Sequence, residues 1–227
     1  NTTGGYNAAF GGEALRLNET ASFNAAFGAA ALYANTTGAS NTAVGRSALY
    51  ANTTGANNTS VGAYTLDANT TGVQNTALGS GALGTNTTGG NNVAVGDGAI
   101  GLNTTGASNA ALGMEAMLVN TTGAQNVAFG NGSLRANTTA SYNTAYAGSS
   151  LYSNTTGANN TALGYYSLFA NTTGAQNTAV GSNALDANVS SHGNTAVGYN
   201  SLGVNTGEQN TAVGLGSLDA NTSGGYS

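Results

Sequence analysis

The feature that most constrains this chain is a period of 17 residues that recurs along its whole length. An Asn opens a copy at 7, 24, 41, 58, 75, 92, 109, 126, 143, 160, 177 and 194. The next copy opens at Asn210, one residue early, because Asn205-Thr206-Gly207 has one Thr fewer than its counterparts. Asn41–Asn57, NTAVGRSALYANTTGAN, shows the pattern in full. A period without drift marks an array of one small structural unit, each copy resting on its neighbours. It predicts a single continuous repeat array over 1–227, with no linker.

Counting from the opening Asn, column 4 is bulky and apolar in every copy, from Phe10 and Val44 to Tyr146 and Val213. Column 5 is Gly except at Ala147, and column 9 is Leu except at Ile100 and Met117. Column 3 is Ala except at Ser60, and column 8 holds only Ala, Ser or Thr. Two short strands separated by turn residues fit this pattern, TAVG first and ALYA second. Gly45 and its equivalents make the first corner and the NTTG segment the second. A helix is excluded by the frequency of Gly and by apolar spacings that miss the 3.6-residue period.

One copy is therefore one coil of an all-β parallel β-solenoid. With coils ~4.8 Å apart, thirteen of them would form a rod on the order of 60 Å long. Columns 4 and 9 read as the coil interior. Column 3 falls on the opposite face of the first strand from columns 2 and 4, yet it is almost never polar. The expectation is that another chain covers this second face, which makes Ala43, Ala77 and Ala94 self-assembly candidates. Column 10, with Arg16, Tyr33, Tyr50, Asp67 and Tyr152, reads as solvent-facing.

Composition narrows the function. Charged residues are 5% of the chain, and Pro, Trp and Cys are absent. Arg16, Arg46 and Arg135 are the only cations, so no nucleic-acid footprint is expected. No apolar run reaches the ~18 residues of a membrane span, and the first residues do not form a signal peptide. Beginning and ending in mid-repeat, the chain reads as a mature product or a segment of a longer array. Catalysis is not expected. The single His192 lies in a corner without an acidic neighbour in register, Asp186 and Asp219 are two coils apart, and neither metal-ligand spacing nor a cofactor motif is found. An ice-binding rank is disfavoured because Ala8, Ala25, Val93, Ala110 and Val127 interrupt the Thr of column 2.

The Thr-Ala-Val-Gly of 42–45 followed by the Ser-Ala-Leu of 47–49 resembles the repeat of trimeric autotransporter adhesin heads, and the longer NTAVG…AL…NTTG form is similar to repeats of phage-like tail fibres and surface fibres. The resemblance covers essentially all of 1–227. It implies a left-handed parallel β-roll, three chains about one axis, and display at a cell surface or on a virion. The adhesin repeat is usually shorter, so the NTTG corner is an enlarged one, and Thr at column 2 stands where the adhesin has an aliphatic residue.

Three further features are candidates for function. Asn-x-Ser/Thr sequons occur at Asn1, Asn18, Asn35, Asn52, Asn69, Asn86, Asn103, Asn120, Asn137, Asn154, Asn171, Asn188 and Asn221. They are either N-glycosylation sites, the middle residue varying at Glu19 and Val189 while the hydroxyl stays, or an Asn ladder that needs the same residues. Aromatic residues at column 17 precede aromatic residues at column 4, as in Tyr6 and Phe10, Phe23 and Phe27, Tyr142 and Tyr146. These pairs read as corner-to-core packing or as contact surfaces. The ends also match, NTTGGYN at 1–7 and NTSGGYS at 221–227, so Tyr6, Phe10 and Tyr226 are candidates for head-to-tail stacking. The expected function is a rigid structural subunit of an extracellular fibre, self-associating as a homotrimer. The alternative is an adhesin head that meets a surface glycan through Tyr33, Tyr50 and Tyr152.

Overall fold

The computed structural model describes residues 3–222 and 224. The chain divides into two compact units, Asn1–Asn109 and Ala110–Ser227. Each is a parallel β-solenoid with one three-residue strand per coil and no helix among the described residues. The first unit contains β1 (Ala8–Phe10), β2 (Ala25–Phe27), β3 (Thr42–Val44), β4 (Thr59–Val61), β5 (Thr76–Leu78) and β6 (Val93–Val95). The second contains β7 (Ala110–Leu112), β8 (Val127–Phe129), β9 (Thr144–Tyr146), β10 (Thr161–Leu163), β11 (Thr178–Val180), β12 (Thr195–Val197) and β13 (Thr211–Val213). Within each unit successive strands pair in parallel and in register, so Ala26 meets Ala43 and Val180 meets Val197. Like residues stack on like.

The strand forms where β-branched Thr and Val flank a small residue, and it stops at column 5 for a steric reason. Gly45 has φ 133°, and a Cβ there would stand 2.4 Å from the carbonyl oxygen of Gly62 in the next coil. Ala147 is the one non-glycine at this column and keeps the same backbone, with φ 119°.

The structure departs from the sequence expectation in two respects. The expected second strand is a turn. Ser47 and Leu49 both adopt left-handed backbone, φ 55° and 53°, and the Leu column repeats this conformation coil after coil. Such a φ costs a leucine ~1–2 kcal/mol, so packing must impose it. The N–H of Leu49 donates to the carbonyl of Thr65 in the next coil at 3.0 Å, and its side chain is sealed inside the coil. Hydrogen bonds between coils thus run through the turns as well as the strands.

The strand faces are also reversed. Column 3 points inward: Ala43, Ala77 and Ala94 are 0%, 1% and 0% exposed within their own chain. Columns 2 and 4 point outward. The interior is filled by Leu from column 9, small residues from columns 3 and 8, and the two Asn columns. Alanine is needed at column 3 because leucine already occupies the space opposite. No second chain is required to explain it, and these three alanines are not available to one.

Candidate functional site

Both Asn columns are structural. From Asn18 to Asn188 the column-12 Asn side chains are buried. Asn221 is half-buried, and Asn1 lies outside the described residues. Asn52 is representative. Its Nδ2 donates to Oδ1 of Asn35 in the preceding coil at 2.8 Å and to the carbonyl of Gly55 in its own coil at 2.9 Å. Asn41, from column 1, donates to the same Gly55 carbonyl at 2.8 Å, while its backbone N–H donates to Oδ1 of Asn24 at 2.9 Å. Two amides from opposite ends of one coil therefore clamp one corner. The nitrogen that a glycan would occupy already has both hydrogens committed and faces the interior. Attachment to the folded coil is incompatible with this packing, and the sequon spelling follows from the ladder.

Among the described residues the ladder breaks at the missing Thr. Asn205 donates to Gly207 at 2.8 Å, two residues on, and gives nothing to Asn188. Oδ1 of Asn188 is consequently buried without a hydrogen-bond partner. Nearby, Nδ1 of His192 accepts the N–H of Ala175 at 3.0 Å, a surface corner contact.

The outward strand face is a second feature of the coils. Column 4 presents Phe10, Phe27, Val44 and Leu78 in the first unit and Leu112, Tyr146, Leu163 and Val213 in the second, all exposed. Column 2 supplies Thr, Ala and Val, and neither column holds a charged residue. Phe10 is 77% and Tyr146 57% exposed, so the expected corner-to-core packing of aromatic pairs is not what forms. Rings instead meet along columns. Tyr6 stacks on Phe23 with centroids 5.3 Å apart, and Phe129 meets Tyr146 at 5.5 Å. Tyr226 lies outside the described residues.

A second surface runs along column 10. Tyr33 stacks on Tyr50 at 5.0 Å and 13°, and Tyr152 on Phe169 at 5.4 Å and 20°. Arg16 lies 5.6 Å over the Tyr33 ring and Arg135 5.8 Å over Tyr152. Each guanidinium is also paired with an acid, Arg16 with Glu13 at 2.9 Å and Arg135 with Glu115 at 2.7 Å. The third arginine, Arg46, lies 5.2 Å over Tyr64. Every cation of the chain thus rests on a tyrosine. The three tyrosines predicted to be accessible fall on this column, with Tyr50 exposed and Tyr33 and Tyr152 half-buried. Sequence reading did not single out Arg16, Arg135 and Phe169 as their partners, although all three sit at the same phase of the repeat.

Among the described residues no group of three or more His, Cys, Asp or Glu is placed to hold a metal ion, and no helix is long and apolar enough to cross a membrane. No protein-family model, curated protein or solved structure matches the chain.

Proposed function

We propose that the chain is a structural, non-catalytic subunit of an extracellular fibre or filament at a cell or virion surface. It would associate with copies of itself, as a homotrimer and by head-to-tail stacking, without nucleic acid, cofactor or membrane insertion. The observation that carries this reading is the outward strand face. An uncharged file with an exposed apolar residue in most coils is more than a monomer ordinarily leaves in water. A surface that repeats at the coil spacing is best matched by another surface with the same spacing, which a second copy supplies. The resemblance of the TAVG…SAL segment to trimeric autotransporter adhesin heads supports three chains.

Sedimentation equilibrium tests this on the intact chain, whose monomer is 22.0 kDa. A species of three times that mass is expected. Val44→Lys combined with Leu163→Lys should release folded monomers, because both side chains point outward. Ala43→Gln should instead disrupt the coil itself. A wild-type chain that stays monomeric at high concentration refutes the proposal.

The arginine–tyrosine column favours a second reading, an adhesin head that contacts a surface glycan through Tyr33, Tyr50 and Tyr152. Exposed rings and planar guanidinium groups are common anchors at recognition surfaces.

A further inference from the structure

Column 10 keeps an order that its neighbours lose. In the first unit it reads Arg16, Tyr33, Tyr50, Asp67, Gly84. Seven coils further along the sequence, in the second unit, it reads Arg135, Tyr152, Phe169, Asp186, Gly203. Columns 6 and 7, at the same corner, share no residue between the same two sets of five coils; Arg46 answers to Tyr165, and Tyr64 to Asn183. A bare duplication of seven coils would leave all three columns equally alike.

The retained order builds a particular shape. Tyr50 and Phe169 each end a stack, with one ring face against the preceding aromatic residue. The next residue along the column is an Asp held in register, since Ala51 N–H donates to the Asp67 carbonyl and Ala170 N–H to that of Asp186, both at 2.9 Å; the Phe169 ring also meets Tyr166 of its own coil at 4.7 Å in a T-shaped contact. Beyond the Asp the column drops to glycine. A Cβ on Gly84 would come within 3.5 Å of Oδ1 of Asp67, so that carboxylate leans over the step. In the second unit Asn200 donates to Asp219 at 2.7 Å, and these two side chains occupy the space that a side chain on Gly203 would take. Burial raises the pKa of both Asp67 and Asp186, consistent with carboxylates partly enclosed at these steps.

A ring face, a carboxylate and a step combine the two needs of a pyranose. Its C–H face packs on the ring, and its hydroxyls donate to the carboxylate. The local charge selects among sugars. Arg16 and Arg135 are already paired with Glu13 and Glu115, Arg46 lies over the Tyr64 ring, and the notch Asp would repel an acidic sugar. We infer that Tyr50–Asp67–Gly84 and Phe169–Asp186–Gly203 are corresponding notches, each holding one sugar of an extended, unbranched, neutral polysaccharide that lies along column 10 of its own unit. This rests on the second reading above and narrows its ligand.

The test is isothermal titration of the full chain with cellohexaose, laminarihexaose and xylohexaose, with hexagalacturonate as the acidic control. At least one neutral hexaose should bind and hexagalacturonate should not. Asp67→Ala with Asp186→Ala should weaken binding about tenfold, equivalent to ~1.4 kcal/mol, at a melting temperature no lower than that of the wild type. Tyr50→Ala with Phe169→Ala should do the same; if that variant melts early, the aspartate pair decides alone. Preference for hexagalacturonate, or binding untouched by the aspartate pair, overturns the notches. If binding then falls with Tyr33→Ala and Tyr152→Ala, the tyrosine-face reading survives without them. A folded wild type that binds no neutral hexaose sinks both.

Discussion

Restoring the missing residue at the ladder defect tests the account of what holds the coils together. Inserting Thr after Thr206 turns NTGEQ into NTTGEQ and returns that copy to 17 residues. The Asn205 amide should then reach Asn188 Oδ1, as Asn188 itself reaches Asn171 at 3.0 Å. An unpartnered buried acceptor costs ~1–3 kcal/mol, and a restored backbone bond at the corner adds about 1 kcal/mol. Against this, ordering one more residue costs ~1–2 kcal/mol. The net gain is therefore ~1 kcal/mol, confined to the coils on either side of the defect. Native-state hydrogen exchange reads it locally. The Leu202 and Val204 amides, which donate to Ser217 and Asp219 of the following coil at 2.9 and 2.8 Å, should exchange several-fold more slowly, while amides of the first unit stay unchanged. Unchanged or faster exchange at Leu202 and Val204 would mean that the Asn ladder does not carry the stability assigned to it.

Two other outcomes follow from the same geometry. Gly45→Ala forces a side chain onto a φ of 133° and against the next carbonyl, so it should lower the melting temperature by the equivalent of at least ~1–3 kcal/mol; Ala147→Gly, the reverse change at the same column, should raise it. Burial lifts the pKa of Asp67 and Asp186 above 3.8, against the pull of backbone N–H groups. A carboxyl whose folded pKa is raised contributes stability below its unfolded pKa and loses that contribution as pH rises through the folded value. Asp67→Asn with Asp186→Asn should therefore melt above wild type near neutral pH, with the gap closing in acid; a gap that widens in acid refutes the sign.

The repeat made the solenoid legible and left its inside and outside ambiguous, for a reason that individual residues make clear. Coils in register share one cross-section, so an interior column has to keep its volume from coil to coil. Column 3 stays Ala or Ser, column 9 stays Leu, Ile or Met, and columns 1 and 12 stay Asn in every copy. Column 4 ranges from Val44 to Tyr146, a spread that a fixed interior could not absorb. Hydrophobicity pointed column 4 inward, whereas constancy of volume points it outward. The second expected strand failed on different grounds. Nothing in Ser-Ala-Leu announces a left-handed leucine; intrinsic preference opposes it, and only hydrogen bonds to the adjacent coil impose it. The sequons left two readings open because Asn-Thr-Thr-Gly serves a glycan acceptor and an internal amide ladder equally well on paper. Burial separates the two.

The same division explains why so little charge suffices. A coil seals away one leucine, two small residues and a pair of amides, so most of what holds one coil to the next is hydrogen bonding: backbone in the turns and strands, side chain in the Asn columns. Such bonds are satisfied only by an identical neighbour in register, which is why Asn188 suffers when Asn205 slips by a single residue. The interior is thus bound to uniformity, and variation is pushed to the columns that face out. There the chain shows two different habits. Column 4 varies in size but stays apolar, as a surface to be covered by a like surface would. Column 10 varies in chemistry but keeps its order from one unit to the other, as a surface with a separate ligand would. Column 10 also links successive coils through its ring stacks and arginine–ring contacts, so the proposed ligand contact there is separated from scaffolding only by a binding measurement.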